Sequence, residues 1–312
     1  MLNTSLSLDR IEAAAHLIDP VFRATPQIID ESLSRSLNRE IILKVETLNP
    51  IRSFKGRGAD FWLHDSAERR MVICASTGNF GQGLGYAARQ RGLSVRVFAP
   101  TPALSAKVTR MRELGARVVV GGADLEEAKE AALASANERD DRVFVEDGAQ
   151  PQIAEGAATI AVELAPLLPD TVVVPVGSGA LISGVATWLK AHRPRVKVIG
   201  AVAAGAPAMA HSWRSGTPVS TSAARTAADS VALRVPAPAA VAWLRDVVDD
   251  MVLIEEEQIF AALRLLRDQL GLIMEPAAAL GLAAIVNHDI PGARVATVLT
   301  GSNFAPEVVK SL

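Results

Sequence analysis

Short runs of consecutive apolar residues, rich in Val and Ile, alternate along this chain with longer segments of helical pattern. The apolar runs lie at 71–75, 94–98, 117–120, 172–176, 196–202 and 295–299, and helical patterns fill 80–91, 103–114, 122–138, 153–167 and 181–192. Runs without polar alternation are typical of strands buried on both faces, as in parallel sheets. Since strand and helix repeat in this order, the sequence predicts an α/β fold with two doubly wound lobes and mainly parallel sheets.

The same pattern predicts the domain organisation. Residues 71–148 form a self-contained run of strand–helix pairs, which we expect to be a small substrate-loop domain inserted into a large domain made of 1–70 and 149–312. Residues 7–19 predict an opening amphipathic helix with Ser7 as its N-cap. Residues 204–238 are rich in Ala, Gly, Pro, Ser and Thr, which favours a long surface loop.

Composition excludes several classes of protein. A formal net charge of −2 argues against nucleic-acid and membrane-surface partners. No uncharged apolar segment approaches the roughly 20 residues needed to span a bilayer, and the first residues lack the features of a signal peptide, so we expect a cytoplasmic protein. The single cysteine, Cys74, rules out an intramolecular disulfide and is interpreted as a small buried hydrophobe. No metal-ligand motif and no G-x-S-x-G elbow is present.

One lysine lies in a sequence that suits covalent chemistry. Lys55 stands in S-F-K-G-R-G at 53–58, after Phe54 and before Gly56. The small residues allow another group to approach closely, and a desolvated lysine is a competent nucleophile and base. The ordinary alternative is a solvated surface lysine.

Two turns follow apolar runs and open helices, where free backbone N–H groups collect. In A-S-T-G-N-F-G-Q at 75–82, this suits a carboxylate, with the Asn79 amide available to a ring oxygen; the alternative is an N-cap made by Ser76, Thr77 or Asn79. In G-S-G-A-L-I-S-G at 177–184, successive amides can surround a phosphate; the alternative is a tight turn that needs glycine for packing.

The chain also has a polar turn, T-G-S-N at 300–303, after the last apolar run. Thr300 or Ser302 can present a neutral hydroxyl to a heterocyclic nitrogen, although such turns are common. A reactive lysine and a phosphate-binding turn are two needs of pyridoxal phosphate, and few other ligands require both. An enzyme is therefore the leading interpretation.

Taken in order, these segments resemble the fold-type II pyridoxal-phosphate enzymes (tryptophan synthase β-like), in particular the serine/threonine dehydratase and serine racemase group. The resemblance covers nearly the whole chain. It includes further matching segments: I-E-A-A-A-H-L-I at 11–18, T-P at 25–26, L-K-V-E at 43–46, A-A-D-S-V-A at 227–232 and M-E-P-A-A-A-L-G at 274–281.

The resemblance implies a role for each matching residue. Lys55 matches the Schiff-base lysine, Phe54 flanks the ring, and Asn79 matches the residue that bonds the cofactor's 3′ oxygen. Ser76, Thr77 and Gly78, with Asn79, match the loop that receives the substrate carboxylate. The phosphate-binding turn corresponds to Gly177, Ser178, Gly179, Ala180 and Leu181. Thr300 aligns with the hydroxyl that faces the pyridine nitrogen, and Ser302 with a usual glycine.

The activity implied is β-elimination from threonine, serine or a related β-hydroxy amino acid, giving a 2-oxo acid and ammonia, by a homodimer. Several departures from the family pattern bear on this. Arg52 stands where the family usually has glycine, and it either pairs with an acidic substrate, as in a β-hydroxyaspartate dehydratase, or lies at the surface. Phe80 replaces a common histidine, which makes the pocket more apolar. Val202 replaces the metal-binding glutamate of racemase-like members, so we expect no Mg²⁺ or Ca²⁺ there.

Other functions stay open on the sequence alone. Thr77 keeps a hydroxyl where racemases use serine, which leaves an amino-acid racemase open. The T-G-N-F loop leaves open a β-replacement or γ-reaction, as in cysteine or threonine synthases. A non-catalytic binding protein is the alternative from another class, and the presence of Lys55 and Asn79 argues against it.

Overall fold

A computed structural model describes residues 6–64, 71–305 and 308 of the chain. Its strands are β1 Gln27–Ile29, β2 Glu40–Val45, β3 Met71–Ala75, β4 Ser94–Ala99, β5 Arg117–Val120, β6 Arg142–Phe144, β7 Thr171–Pro175, β8 Lys197–Ala203, β9 Asp250–Ile254 and β10 Arg294–Leu299. Its α-helices are α1 Leu8–Leu17, α2 Glu31–Ser36, α3 Lys55–His64, α4 Asn79–Gln90, α5 Ser105–Glu113, α6 Leu125–Asn137, α7 Pro151–Leu164, α8 Ala180–His192, α9 Ala208–Ser215, α10 Pro238–Leu244, α11 Glu256–Leu270 and α12 Pro276–Asn287.

The strands form two sheets. The larger has the order β1-β2-β10-β7-β8-β9, in which β1 is antiparallel and the other neighbours are parallel. The smaller has the order β5-β4-β3-β6 and is parallel throughout. Because parallel strands end on the same edge of a sheet, the turns after β2, β7 and β10 lie together, as do those after β3 and β4.

The predicted α/β class with mainly parallel sheets is confirmed. The six apolar runs are strands β3, β4, β5, β7, β8 and β10, and the five helical patterns are α4, α5, α6, α7 and α8, with ends shifted by a few residues at most. The opening helix is α1, and the Ser7 side chain accepts a hydrogen bond from the Arg10 amide, as an N-cap does. Cys74 is fully buried and unpaired, as expected.

The prediction of a continuous loop over 204–238 was wrong for part of its length. Residues Ala208–Ser215 form α9, which turns Ala208, Met209 and Ala210 into the core. The alanines that suggested a flexible loop are good helix formers once one side of the helix is buried. All strands of the smaller sheet lie between 71 and 144, but the domain boundaries stay a prediction.

Helix α3 is fixed by a buried ion network. The Arg57 guanidinium is fully buried, and it donates to both oxygens of Glu46 at 2.8 and 2.9 Å and to both oxygens of Glu163 at 2.7 and 3.0 Å. Burial alone would lower the pKa of Arg57, but the carboxylates of Glu46 and Glu163 outweigh it and raise the pKa. The buried Lys44 ammonium donates to Glu163 at 2.5 Å.

The network and close helix packing act at the same place. A Cβ on Gly156 of α7 would lie 2.6 Å from the carbonyl oxygen of Arg57, so α7 crosses α3 next to the arginine. Since α3 begins at Lys55, two residues earlier, both contacts determine where that lysine lies. Among the described residues, no helix is both long and apolar enough to cross a membrane.

We expect Arg57→Met to lower the free energy of unfolding by about 3–5 kcal/mol, because removing one member of a buried ion network leaves the other charges uncompensated. Urea denaturation followed by circular dichroism measures this. Arg139→Met is the matched control, since Arg139 is exposed and pairs only with the exposed Asp141. An Arg57 variant as stable as this control would contradict the assigned role.

Candidate active site

Lys55 is placed by a short antiparallel pairing beyond the ends of two strands. The Phe54 amide donates to the Thr300 carbonyl at 3.0 Å, and the Ser302 amide donates to the Arg52 carbonyl at 3.0 Å. Between them, Ser53 and Gly301 form an isolated β-bridge. This pairing brings the start of α3 beside the turn that follows β10.

Lys55 lines two adjoining cavities. The first, which we call the inner cavity, has a volume of about 30 Å³ and is also lined by Phe54, Asn79, Gly177, Gly179 and Thr300. The second, the outer cavity, has a volume of about 100 Å³ and is also lined by Ser76, Thr77, Phe80 and Asp147. Lys55, Asn79, Gly177 and Ser178 belong to both linings, so the two cavities meet at the lysine.

The inner cavity ends at the turn between β7 and α8. The backbone N–H groups of 177–179 donate to no group in the described part of the chain, and the first turn of α8 adds further free N–H groups. Gly179 has φ = +90°, a conformation that L residues rarely adopt. Several unpaired donors at the positive end of a helix dipole make a binding site for an anion such as a phosphate.

The outer cavity ends at the start of α4. Ser76 accepts hydrogen bonds from the amides of Gly78 and Gly81, both at 3.0 Å, so the alternative of a side-chain cap holds for Ser76. Within the described residues, the amides of Thr77, Asn79 and Phe80 have no acceptor. The segment therefore caps its own helix through one hydroxyl and still presents donors that suit a carboxylate.

The Lys55 ammonium pairs with the carboxylate of Asp147, which follows the smaller sheet's strand β6. The ammonium also lies 4.7 Å from the centre of the Phe54 ring. The second oxygen of Asp147, Oδ1, is buried and has no hydrogen-bond donor among the described residues. Asp147 thus orients the lysine amine and keeps one acceptor free at the cavity wall.

The wall of the outer cavity is acidic. Besides Asp147 it contains Glu126, Glu146 and Asp229, against the two ammonium groups of Lys55 and Lys129. Glu146 pairs with Lys129, and burial raises the pKa of Glu126, with Glu146 adding to the rise. This charge distribution disfavours an anionic group at the wall.

Asn79 is held by hydrogen bonds on both sides of its amide. Its Nδ2 donates to Glu275 Oε1 at 2.7 Å, and its Oδ1 accepts from Asn303 Nδ2 at 2.9 Å. Beside them, the buried Lys107 ammonium donates to both oxygens of Asp229 at 2.8 Å. Asn79 is therefore part of a buried polar network that reaches across the site.

Comparison with known proteins fits this geometry. A family model described as pyridoxal-phosphate dependent enzyme matches residues 18–301. The chain belongs to this family. An L-threonine ammonia-lyase from Thermotoga maritima is 37% identical over 305 residues, which cover 96% of this chain and 76% of that protein. A putative threonine dehydratase from Sinorhizobium fredii is 32% identical and covers 96% of this chain and 93% of that protein.

Solved structures of this family of enzymes have the same architecture. A bacterial threonine deaminase, from the organism abbreviated T.th., superposes with a TM-score of 0.90 at 31% identity, over 96% of this chain and 100% of that one. Maize serine racemase superposes with a TM-score of 0.91 at 24% identity, over 98% of this chain and 96% of that one, a likeness of fold alone. The predicted fold-type II architecture and the predicted class, a pyridoxal-phosphate dependent lyase of the dehydratase group, are confirmed.

The residues present fit the cofactor that this family implies. An amine, a ring-flanking aromatic residue, a hydroxyl and a set of unpaired amides surround one space, the inner cavity. The structure brings together nearly all the residues singled out from the sequence. Those that line one or both cavities are Phe54, Lys55, Ser76, Thr77, Asn79, Phe80, Gly177, Ser178, Gly179, Leu181 and Thr300.

Arg52 lies elsewhere. Its side chain is exposed, and with Ser302 it lines a separate cavity of about 650 Å³ between α5 and residues 302–305. Its φ of +51° belongs to the turn that precedes the pairing with 300–302. The position that differs from the family's glycine therefore keeps a left-handed backbone, and its guanidinium is absent from the linings of both the inner and the outer cavity.

Sequence reasoning did not find four of the charged and polar groups at the site. Asp147, Lys107, Glu275 and Asn303 come from four separate segments, and no short motif links them to Lys55. M-E-P at 274–276 and T-G-S-N at 300–303 were noted as segments, but their Glu275 and Asn303 were given no role. Among the described residues, no group of three or more His, Cys, Asp or Glu side chains is arranged to hold a metal ion.

Proposed function

We propose that this chain is a pyridoxal-phosphate dependent ammonia-lyase that removes water and then ammonia from a β-hydroxy amino acid with an uncharged side chain, such as threonine or serine. One observation carries the proposal: the Lys55 amine lies where a cavity ending in unpaired turn amides meets a cavity ending in unpaired helix amides. An amine between a phosphate site and a carboxylate site is the arrangement that an amino-acid-transforming enzyme of this family requires.

Each end of the inner cavity has its own task in this proposal. The amides of 177–179 and of the first turn of α8, with Ala180 and Leu181, hold the cofactor's phosphate. Lys55 bonds its aldehyde, Thr300 faces its ring nitrogen, and Asn79 faces its 3′ oxygen. When bound, pyridoxal phosphate supplies the electron sink that makes the substrate's Cα–H acidic.

The remaining steps belong to the protein's own groups. The amides of Thr77, Asn79 and Phe80, with Gly78 between them, hold the substrate carboxylate and so aim Cα at Lys55. Lys55 Nζ, once displaced by the substrate amine, takes the Cα proton as a general base. Leu125, Phe144, Leu233 and Val235 line the outer cavity and exclude water while the hydroxyl leaves.

The acidic wall decides between the substrate classes that the sequence left open. With four carboxylates and two ammonium groups around the outer cavity, a second substrate carboxylate would meet like charge. Arg52 offers no compensation, since it lines the separate cavity between α5 and residues 302–305. This favours threonine or serine over β-hydroxyaspartate.

Racemisation is the second candidate function, because Thr77 lines the same outer cavity as Lys55. A racemase needs a proton donor on the face opposite the lysine, and among the described residues Thr77 has the only hydroxyl besides Ser76, Ser178 and Ser230 in that lining. A homodimer and a cytoplasmic location stay predictions that rest on the family resemblance and the sequence, and sedimentation velocity of the purified protein tests the first.

We expect Lys55→Ala to abolish the adduct that borohydride traps between pyridoxal phosphate and wild-type protein, because no other amine replaces it at the junction of the cavities. Peptide mass spectrometry after reduction locates the adduct. Lys129→Ala, which removes the other lysine of the outer cavity, should leave the adduct in place. An adduct found on Lys129 or retained in Lys55→Ala would overturn the assignment.

Gly179→Ala should weaken binding of pyridoxal phosphate at least tenfold, since the turn must abandon φ = +90° and a Cβ would press on Leu244, Ala240 and Met209 at 3.1–3.2 Å. Binding of unphosphorylated pyridoxal should change less. Gly271→Ala is the control: Gly271 has φ = +65° at the end of α11, with nothing near its Cβ. Equal affinities in both variants would argue against a phosphate site at 177–181.

A screen of β-hydroxy amino acids for 2-oxo acid formation, with chirality followed in parallel, tests the substrate class. Threonine or serine should be turned over and hydroxyaspartate should not, and Arg52→Gly should leave this preference unchanged. Efficient turnover of hydroxyaspartate that falls selectively in Arg52→Gly would restore the acidic-substrate hypothesis. Product racemised without 2-oxo acid would favour the second candidate.

A further inference from the structure

The Asn79 side chain presents a choice that its position alone does not make. It is 7% exposed and lines both cavities, so its amide can turn either a hydrogen-bond donor or an acceptor toward the ligand. The oxygen and nitrogen of an amide have nearly the same shape, and only the surrounding hydrogen bonds distinguish them. The groups around Asn79 therefore determine which chemistry it offers.

On one side, Glu275 requires the amide nitrogen. An ionised carboxylate only accepts hydrogen bonds, and Glu275 Oε1 lies 2.7 Å from Asn79 Nδ2. Glu275 is the N-cap residue of α12, yet its side chain makes no capping hydrogen bond, so its oxygens are available to Asn79. Gly301 allows the approach, because a Cβ there would lie 2.6 Å from Glu275 Oε1.

On the other side, Asn303 requires the amide oxygen. Its Nδ2 donates to the Ile51 carbonyl at 2.8 Å and to Asn79 Oδ1 at 2.9 Å. A carbonyl is an acceptor only, so Ile51 fixes the orientation of the Asn303 amide, and Asn303 in turn fixes that of Asn79. The two constraints are independent and give the same orientation.

One Asn79 hydrogen remains loosely used. The second N–H of Nδ2 has Ser230 Oγ at 3.3 Å, a long contact, and that oxygen already accepts from Lys107 at 3.0 Å. Ser230 and Asn79 both line the inner cavity. A ligand oxygen there can take this hydrogen with little loss to the protein.

The negative charge of Glu275 has support at close range. The residue is fully buried, and burial raises its pKa, while the Lys107 ammonium, 3.8 Å from Oε2, opposes that rise. The backbone amide of Asn303 also donates to Oε2, at 3.2 Å. Lys107 therefore helps to keep Glu275 an acceptor for Asn79.

We propose that Glu275 and Asn303 are positioning residues that lock the Asn79 amide with one N–H turned into the inner cavity, where it donates to an anionic ring oxygen of the ligand. This rests on the proposed function, in which that ligand is pyridoxal phosphate and that oxygen is its 3′ oxygen. Neither residue touches the ligand; both act through Asn79.

The test uses Glu275→Gln, Asn303→Ala and Asn79→Ala in the full chain, with pyridoxal phosphate as the ligand. A glutamine at 275 can rotate to offer its own N–H, which lets the Asn79 amide reverse. We expect Glu275→Gln to weaken cofactor binding about 10- to 100-fold, the loss of one hydrogen bond to a charged group, and Asn303→Ala less. The absorption spectrum of the bound cofactor and its pH dependence should change, while borohydride still traps the adduct at Lys55.

The double variant Asn79→Ala/Glu275→Gln separates positioning from a structural role. If Glu275 acts through Asn79, the second change adds nothing to the affinity loss or spectral change of Asn79→Ala alone. Glu257→Gln, the same chemical change at an exposed position of α11, is the control and should bind cofactor as wild type does.

The outcomes are distinguishable. Wild-type affinity and spectrum in both Glu275→Gln and Asn303→Ala, or fully additive losses in the double variant, overturn the positioning role alone. If Glu275→Gln does not fold, Asn303→Ala and its double variant with Asn79→Ala decide by the same criteria. Failure of the wild-type protein to form an adduct at Lys55 overturns the proposed function and this inference with it.

Discussion

The ion pairs of Arg57 determine the geometry on which the site depends. A guanidinium that is fully buried needs compensating charge, and Arg57 has it from Glu46, which follows β2, and from Glu163, near the end of α7. These carboxylates tie α3 to a strand end and to a neighbouring helix. Because Lys55 opens α3, the direction in which its amine leaves the backbone is set by charges that lie outside the cavity.

Much of this fold follows from the sequence because the strands of a parallel sheet are recognisable one at a time. A strand buried on both faces must be apolar along its whole length, so β3 and β7 stand out without knowledge of their neighbours. The same holds for turns whose function lies in their own backbone. The free amides of 177–179 and the φ of Gly179 are local properties, and a glycine-rich turn before a helix predicts them.

What the sequence does not predict are groups whose role depends on what lies opposite. Asp147 meets Lys55 only because β6 pairs with β3 and its following turn reaches the larger sheet, where a Cβ on Gly148 would lie 2.6 Å from the Ser178 carbonyl. Arg52 shows the converse: its position beside S-F-K suggested a place at the substrate, but a backbone that turns at φ = +51° leaves the side chain in another cavity. Distance along the chain is a poor guide to distance across a sheet edge.

The two buried ion networks differ in how fully their donors are used. Around Arg57, the guanidinium donors have acceptors in Glu46, Glu163, Thr25 and Thr159, so nothing is left for a ligand. Around Lys107, the ammonium is committed to Asp229 and Ser230, and Glu275 lies beyond hydrogen-bond distance at 3.8 Å. Buried polar groups that are incompletely paired cost stability, and a protein keeps them where a ligand completes them. Asp147 Oδ1 and the amides of 177–179 are incompletely paired in the same way and line the same cavities, which is why the unsatisfied groups of this chain mark its active site.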